Sequence, residues 1–380
     1  MKILITVGIY PPDIGGPASF VPKIAKLLAD SNHEVTVICL SDKKLQDKEI
    51  YSVNRIIRKQ NLILRWTKTV LAIIKSGLKA DVIFVNGLPM EAYVANIFLR
   101  KKVVRKIVGD WAWERGRNRG LIEDSFDEFQ LNSHNLHLEI AKFSRGWTAT
   151  KADLVITPSL HLKNVVKGWG VNEGNIKVIY NGTQISTKVD SKNRLKDEIN
   201  FITVGRLAPW KNIDVMIKSM SILKDTHQNI KLYIVGSGPQ EKKLKELTYK
   251  LNLTEEVIFT GQKTLSELEI YYKNSDIYIQ GSGYEGLPHV LLEALNYQLS
   301  IISTPIGGSN EILKNGENGW ILELVDGIKP DSHELVKIIK EVLNDDKSRI
   351  EKIEQGSKIL KSKFDEEKNL NEYLKVLKNE

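Results

Sequence analysis

The residues best suited to chemistry are two glutamates eight positions apart, Glu285 and Glu293, in Ile277-Tyr-Ile-Gln-Gly-Ser-Gly-Tyr-Glu-Gly-Leu-Pro-His-Val-Leu-Leu-Glu-Ala-Leu295. Two carboxylates first suggest the acid/base pair of a glycosidase, which must stand about 5 to 9.5 Å apart. The local pattern opposes that. Ile277 to Ile279 read as a buried strand, and Gly281, Gly283 and Gly286 as a turn whose backbone is free to take positive φ. Pro288 sits where a first helical residue tolerates proline. A helix follows from His289 to about Tyr297, with Val290, Leu291, Ala294 and Leu295 as its apolar stripe. If the span between the glutamates is mostly helical, its rise alone separates them by roughly 10 Å. Between them, over Gly286, Leu287, Pro288 and His289, the helix start offers unpaired N–H groups and a positive dipole end, which suit an anion. Two contacts on one elongated ligand with an anionic middle match the shape of a nucleotide sugar: sugar, diphosphate, ribose.

A second unusual stretch is Val108-Gly-Asp-Trp-Ala-Trp-Glu-Arg-Gly-Arg-Asn-Arg-Gly120. It follows an apolar run, Val103–Val108, that reads as a strand, so it falls at the carboxyl edge of a sheet, where open α/β sheets bind ligands. Asp110 either points into that crevice or is a strand-end turn aspartate. Trp111 and Trp113 are able to stack on a sugar face, and Arg115, with Arg117 and Arg119, to hold an acidic or phosphorylated acceptor. His134, His137 and His161 have no partner pattern and read as helix residues. No Asp-x-Asp stands at a strand end and no His/Cys cluster has metal-ligand spacing. The expectation is a metal-independent reaction with no cofactor beyond the substrate itself.

Glu285-Gly-Leu-Pro-His-Val-Leu-Leu-Glu293 resembles the E-x7-E motif of the retaining, GT-B-fold glycosyltransferases of the group 1 family. Gly205-Arg-Leu-Ala-Pro-Trp-Lys-Asn212 resembles that family's G-R-L-x-x-x-K-N element, and Gly236-Ser-Gly-Pro239 its G-x-G-P turn. The resemblance covers most of the chain, most closely over 201–320 and least over 41–75 and 115–150. It implies that Arg206 and Lys211 grip the donor diphosphate; two cations near a helix start are physically suited to neutralise a phosphate pair and its departing charge. It also implies that Gly15 and Gly16 form the Gly-Gly turn that approaches donor and acceptor, and that Gly261 and Gln262 lie by the nucleotide base. Glu285 would hold donor-sugar hydroxyls and Glu293 the ribose hydroxyls, with Gly286, Leu287 and Pro288 between them at the diphosphate. Many relatives carry a histidine, often as His-Asp, where this chain has Gly109-Asp110. The catalytic set is then Glu285, Asp110, Arg206 and Lys211, and the acceptor-side set Asp110, Trp111, Trp113 and Arg115. The implied reaction moves a sugar from a UDP-, GDP- or similar nucleotide sugar to a hydroxyl of a glycan or lipid-linked acceptor, with retention. It proceeds on one face of the sugar, the leaving phosphate helping to deprotonate the acceptor. Cell-surface glycan, glycolipid or polysaccharide synthesis is the setting; a GT-B-fold nucleotide-sugar epimerase or phosphorylase-like enzyme is the alternative.

These residues need a scaffold, and the rest of the chain supplies a regular one. Lys2–Val7 reads as a strand, Gly8 to Pro17 as a glycine- and proline-rich turn, and Ala18 to Ala29 as a helix. Val35–Leu40, Val82–Val85, Val103–Val108 and Leu154–Thr157 read as further strands, separated by helices near 62–77, 89–100, 134–150 and 159–168. Alternation of this kind builds a parallel sheet covered on both faces. Val178-Ile-Tyr-Asn-Gly182 reads as a strand ending in a turn, and polar Thr183 to Asn200 as a linker. Strands near Asn200–Val204, Lys231–Val235, Val257–Gly261, Ser300–Ser303 and Trp320 then open a second α/β region, and 332–344 and 347–378 read as charged helices. The G-x-G-x-x-G dinucleotide spacing is missing throughout. The expected architecture is α/β, with two Rossmann-like domains whose parallel sheets face a central cleft. The domains are 1–185 and 186–362, and the resemblance implies a C-terminal helix, about 363–380, crossing back onto the first.

Composition bounds the class. Over 380 residues, 42% hydrophobic and 27% charged residues describe a globular chain long enough for two domains, and no apolar run approaches the ~20 residues that span a bilayer. The opening Met1–Val7 lacks a signal-peptide cleavage pattern, so a cytoplasmic protein is expected. The single Cys39 excludes an intrachain disulfide and lies in an apolar run, which favours buried packing. Charge is uneven: residues 1–187 carry +10 and residues 188–380 carry −2. The basic half favours an anionic partner. Residues 62–77, with Arg65, Lys68 and Lys75 among apolar residues, and Lys101, Lys102, Arg105 and Lys106, are candidates to rest on an anionic membrane surface at its cytoplasmic face; the alternative is a half-buried helix and a solvated charge cluster. No RNA- or DNA-binding motif is present, and nucleic acid is not an expected partner.

Overall fold

The computed structural model describes residues 1–43, 45–185 and 198–378. Most of the expected linker, and with it the 185/186 domain boundary, falls at or outside the edge of these residues. The chain divides into two compact units. Unit 1 takes Met1–Val108, His134–Tyr180 and the residues from Glu367 onward; unit 2 takes Gly109–Ser133 and the described part of Asn181–Glu366.

Unit 1 is built on seven parallel strands: β1 (Lys2–Val7), β2 (Glu34–Ser41), β3 (Ser52–Ile57), β4 (Val82–Val85), β5 (Lys102–Lys106), β6 (Leu154–Thr157) and β7 (Ile176–Val178), in the order β3-β2-β1-β4-β5-β6-β7. Strands such as Val82-Ile-Phe-Val85 are buried along their whole length because helices cover both faces. The first seven helices of the chain are α1 (Gly16–Asp30), α2 (Leu62–Gly77), α3 (Pro89–Leu99), α4 (Trp111–Asn118), α5 (Phe126–Leu131), α6 (Leu136–Thr150) and α7 (Leu160–Gly168). Two apolar layers flank the sheet, one around Val21, Ile24, Phe84 and Tyr373 and the other around Ile73, Tyr93, Ala95 and Val166. Edge strand β3 was not expected from the sequence: it is only half-buried and carries Asn54 and Arg55, so it lacks the apolar run of its neighbours. His134 lies in the loop before α6 rather than in a helix.

Unit 2 has six parallel strands, β8 (Ile199–Val204), β9 (Ile230–Val235), β10 (Val257–Gly261), β11 (Ile277–Gln280), β12 (Ser300–Ser303) and β13 (Trp320–Ile321), in the order β10-β9-β8-β11-β12-β13. The remaining helices are α8 (Ile213–Lys224), α9 (Glu241–Lys250), α10 (Leu265–Asn274), α11 (His289–Asn296), α12 (Ser309–Ile312), α13 (Ser332–Asn344), α14 (Asp346–Lys363) and α15 (Glu366–Lys378). Both sheets have the doubly wound order of Rossmann-like folds. Two local readings change. Helices α4 and α5 were not foreseen, and they pack with unit 2 rather than with the N-terminal half. Asn181-Gly182 is not a turn. The segment runs alongside residues 364–366, where Thr183 N–H donates to Phe364 O at 3.0 Å and a Cβ on Gly182 would meet Glu366 Cα at 2.5 Å.

The last helix belongs to unit 1. Tyr373, 1% exposed, packs against Phe20 and Phe84 at ring distances of 5.0 and 6.1 Å, and Val376 and Leu377 are buried in the same layer. The Lys177–Glu372 ion pair at 3.3 Å joins two solvent-facing side chains and contributes little.

Candidate active site

In unit 2 the strand order reverses between β8 and β11, and open α/β sheets bind ligands beyond the carboxyl ends of strands at such a point. Two loops meet there: Gly205–Asn212 after β8, and Gly281–Pro288 after β11. They are tied by backbone and amide bonds. Gly283 N–H donates to Trp210 O at 2.7 Å, and Asn212, at φ 50°, donates its side-chain amide to Gly281 O at 2.8 Å and Ile328 O at 3.0 Å. Asparagine suits this position because it tolerates left-handed backbone and carries an amide that can bridge.

The expected positive φ at Gly281, Gly283 and Gly286 is not found. Close approach replaces it as the need for glycine: a Cβ on Gly283 would sit 2.6 Å from Ile328 O, and one on Gly308 2.2 Å from Gly286 O. The turn after β9 serves the same end. Gly236, at φ 134°, would place a Cβ 1.9 Å from Gly205 O, and Gly238 one 2.6 Å from Leu207 N, while Leu207 N–H donates to Ser237 O at 3.0 Å. Gly236-Ser-Gly-Pro239 therefore supports the loop that carries Arg206.

Within this frame Lys211 Nζ donates to Glu285 Oε1, and Ser282 Oγ donates to the same oxygen at 2.7 Å. The two charged side chains are 19% and 13% exposed, and Arg206 is exposed beside them. A small cavity is lined by Gly205, Arg206, Lys211, Tyr278, Ser282 and Glu285. Tyr278, buried on β11, has its phenol pKa raised by burial, with Glu285 and then Glu293 adding to it. Glu293 lies on α11 and accepts from Tyr272 Oη at 2.9 Å. Helix α11 follows Pro288 as its N-cap, without a side-chain cap bond, and Gly286, Leu287 and Pro288 are buried at its approach. At the carboxyl end of β10, Gly261 takes φ 70° and accepts from Gly236 N–H at 2.9 Å, with Gln262 exposed next to it.

The stretch after β5 departs most from expectation. Asp110 is fully buried and caps α4, accepting from Ala112 and Trp113 N–H at 2.9 and 3.4 Å, and its second oxygen accepts from Gln130 Nε2 at 3.1 Å. These partners match the structural alternative for Asp110. Trp113 is 2% exposed, so it has no face for a sugar; it packs against Trp210 and Tyr284 at ring distances of 5.2 and 5.1 Å. Tyr284 in turn stacks on Phe126 at 3.8 Å. Trp111, at 39%, and Arg115 are exposed, whereas Arg117 donates to Glu123 O at 2.7 Å. The aromatic cluster clamps α4 onto the two site loops and carries Glu114 with it, a residue the sequence reading passed over. Burial raises the Glu114 pKa, Arg206 and Lys211 oppose that rise, and Glu285 adds to it. An aspartate ahead of a segment with a glutamate in its first turn was the available signal for this helix.

Gly15 and Gly16 belong to unit 1, after β1, whose partners β2 and β4 mark that sheet's own point of reversal. Gly15, at φ 150°, is the N-cap of α1, and both glycines are exposed. The sequence reading did not single out Gly87, where a Cβ would lie 2.7 Å from Gly8 N. Arg105 and Lys106 do not form a solvent-facing basic cluster: Arg105 donates to Thr148 Oγ1 at 2.7 Å, and Lys106 Nζ sits 3.2 Å from the Phe20 ring centre. Burial lowers the pKa of both. Among the described residues no three His, Cys, Asp or Glu side chains gather as a metal site, and no helix is long and apolar enough to cross a membrane.

Residues 185–359 match the family described as "Glycosyl transferases group 1", and residues 14–187 match "Glycosyltransferase Family 4". An uncharacterized glycosyltransferase of Methanocaldococcus jannaschii is 27% identical over 99% of this chain and 98% of its own length. The capsular polysaccharide biosynthesis glycosyltransferase CapM of Staphylococcus aureus is 28% identical over 55% of this chain and 54% of its own. Among solved structures, Anabaena HepE in complex with UDP and glucose superposes with a TM-score of 0.80 at 19% identity, each chain fully covered. Sucrose-phosphate synthase from Thermosynechococcus elongatus gives 0.81 at 18% identity over 100% of this chain and 98% of that one. With the two doubly wound sheets, these matches show that the chain, over residues 185–359, belongs to the group 1 glycosyltransferases and has the GT-B fold.

Proposed function

We propose that the protein transfers a sugar from a nucleotide diphosphosugar to a hydroxyl of a glycan or lipid-linked acceptor, with retention and without a divalent ion, in surface polysaccharide or glycolipid synthesis. One observation carries this reading: Arg206, Lys211 and Glu285 converge at the point of strand reversal in unit 2, beside the start of α11. Support comes also from HepE, whose structure holds UDP and glucose, and from CapM, which serves capsular polysaccharide synthesis.

In this reading the diphosphate takes Arg206, Lys211 and the amides at the start of α11 as its counter-charges. Lys211 then turns from Glu285 to phosphate, and Glu285, still held by Ser282, accepts donor-sugar hydroxyls. Glu293, oriented by Tyr272, accepts the ribose hydroxyls, with Gly261 and Gln262 by the base. Asp110 acts through the fold of α4, and Trp111 and Arg115 supply its exposed acceptor-side groups. The leaving phosphate, once neutralised, takes the acceptor proton on the same face of the sugar. An epimerase or phosphorylase-like activity is not favoured.

Attachment to an anionic, cytoplasmic membrane face is part of the proposal. Helices α2, α3 and α6 pack side by side in unit 1 and expose Ile63, Phe98 and Phe143 at 73%, 72% and 72%, with Lys68 and Lys75 exposed on α2. Such a surface pairs apolar insertion with cationic attraction.

The test is release of nucleoside diphosphate from UDP- and GDP-sugars with and without a lipid-linked acceptor extract, followed by NMR of the product linkage. Transfer with retention requires acceptor-dependent release and an unchanged anomeric configuration. Release without acceptor, or inversion, refutes the reading.

A further inference from the structure

We infer that Gln280 is a further donor-binding residue: its side-chain carbonyl, at the cavity that Arg206, Lys211 and Glu285 line, accepts a hydrogen bond from a hydroxyl of the donor sugar. This rests on the proposed nucleotide-sugar reading.

Gln280 is the last residue of β11 and is 3% exposed. Strands covered on both faces are apolar runs, yet Ile277-Tyr-Ile279 is followed by an amide where a leucine or isoleucine would pack without polar atoms. Its Nε2 donates to Ser303 Oγ at 3.0 Å and to Ser309 Oγ at 2.9 Å. Ser303 Oγ donates its own hydrogen to Thr304 O at 3.2 Å, so it can only accept from the amide, which sets the nitrogen toward the serines. Oε1 is left over: it is buried and has no hydrogen-bond partner among the described residues. Gln280 lines the cavity with Gly205, Arg206, Lys211, Ser282 and Glu285, and neither serine does, which places the carbonyl end of the amide on the cavity side.

The segment that holds the amide also holds Glu285. Thr304 Oγ1 donates to Ser282 O at 2.6 Å, Gly308 N–H to Glu285 O at 3.1 Å, and Ser282 Oγ to Glu285 Oε1 at 2.7 Å. One frame thus sets two acceptors, the Glu285 carboxylate and the Gln280 carbonyl, on one cavity. A buried carbonyl without a partner costs stability, so an apolar residue would serve better here unless a ligand supplies a donor. A diphosphate carries only acceptor oxygens and gains nothing from a carbonyl, whereas a sugar hydroxyl has a hydrogen to give. The cavity, of about 10 Å³, has room for one such group. In the proposed complex Lys211 leaves Glu285 for phosphate, which widens its opening.

The experiment is calorimetric titration of the whole protein, as wild type and as Gln280→Met, with UDP, GDP and ADP and with their nucleotide sugars. Methionine keeps the length of the side chain and removes both polar ends. For the best-binding pair, Gln280→Met is expected to weaken the nucleotide sugar by about 3- to 10-fold, the worth of one neutral hydrogen bond, and to leave the nucleoside diphosphate within about twofold of wild type. Deoxy analogues of the donor sugar then locate the hydroxyl: removing one of them should weaken wild-type binding by a similar factor and leave Gln280→Met unaffected. A merely structural glutamine would weaken both ligands together and couple to no hydroxyl. Should Gln280→Met not fold, Ser309→Ala, which takes one of the two anchors from the amide, carries the same comparison with an expected loss of about 2- to 5-fold. Equal weakening of both ligands, no weakening of either, or no hydroxyl coupled to Gln280, as for a carbonyl that holds only a water, overturns the inference while leaving the diphosphate site standing. Failure of the folded wild type to bind any nucleoside diphosphate or nucleotide sugar overturns both.

Discussion

Lys211 and Glu285 hold each other where each is mostly removed from water, and that decides what single substitutions there do. Removing the ammonium leaves Glu285 held by the Ser282 hydroxyl and removes one of the two cations offered to a phosphate pair. Lys211→Ala should lower kcat/KM by about 100- to 1,000-fold, the range for a preorganised charge at a developing anion, while circular dichroism stays that of the folded protein. Steady-state kinetics on the donor found by screening checks this, and near-normal turnover would remove Lys211 from the site. The sequence singled out Glu285 by its place ahead of a helix and Arg206 and Lys211 by the family resemblance, and the structure lines one cavity with all three. The reason for the glycines between them was not legible, because close approach to Ile328 O or Gly205 O depends on residues far away in sequence. For Asp110 the sequence left two readings open, because at a strand end a ligand contact and a helix cap look alike until the following helix is known; the structure shows the cap.

Parallel strands such as β4 and β11 were legible because burial on both faces demands unbroken apolar runs. Helix α4 was not, since Trp-Ala-Trp-Glu-Arg-Gly-Arg-Asn shows no apolar stripe and is held instead by tertiary contacts to Trp210 and Tyr284. Phe126, 3% exposed and stacked on Tyr284, joins α5 to the same cluster. Phe126→Ala should cost about 3 to 5 kcal/mol of local stability, as for other buried rings truncated to alanine. Hydrogen exchange should quicken over residues 109–133 with β8, β9 and β11 unchanged. Exchange that quickens uniformly across unit 2 would show that α4 is not a separate clamp.

At the scale of the whole chain, the basic excess lies in residues 1–187, and the structure limits how it is used. Arg105 and Lys106 are committed to the interior, so the membrane-facing candidates are the cations and apolar side chains of α2, α3 and α6. Flotation with anionic vesicles should be strong at low salt, weak with neutral lipid, and reduced in a Phe98→Ser, Phe143→Ser double variant whose melting temperature is unchanged. Salt-independent or lipid-independent flotation would discard the surface. The central claim, that a nucleotide sugar docks its diphosphate on Arg206 and Lys211 without a divalent ion, is tested most directly by calorimetric binding of UDP-, GDP- and ADP-sugars in the presence of EDTA. The wild type should bind one of them, and the Arg206→Ala, Lys211→Ala double variant should bind it at least about 100-fold more weakly, the loss of two charge-assisted contacts at about 1.5 kcal/mol each. Undiminished binding by the folded double variant, or binding by the wild type only after a divalent ion is restored, would contradict it.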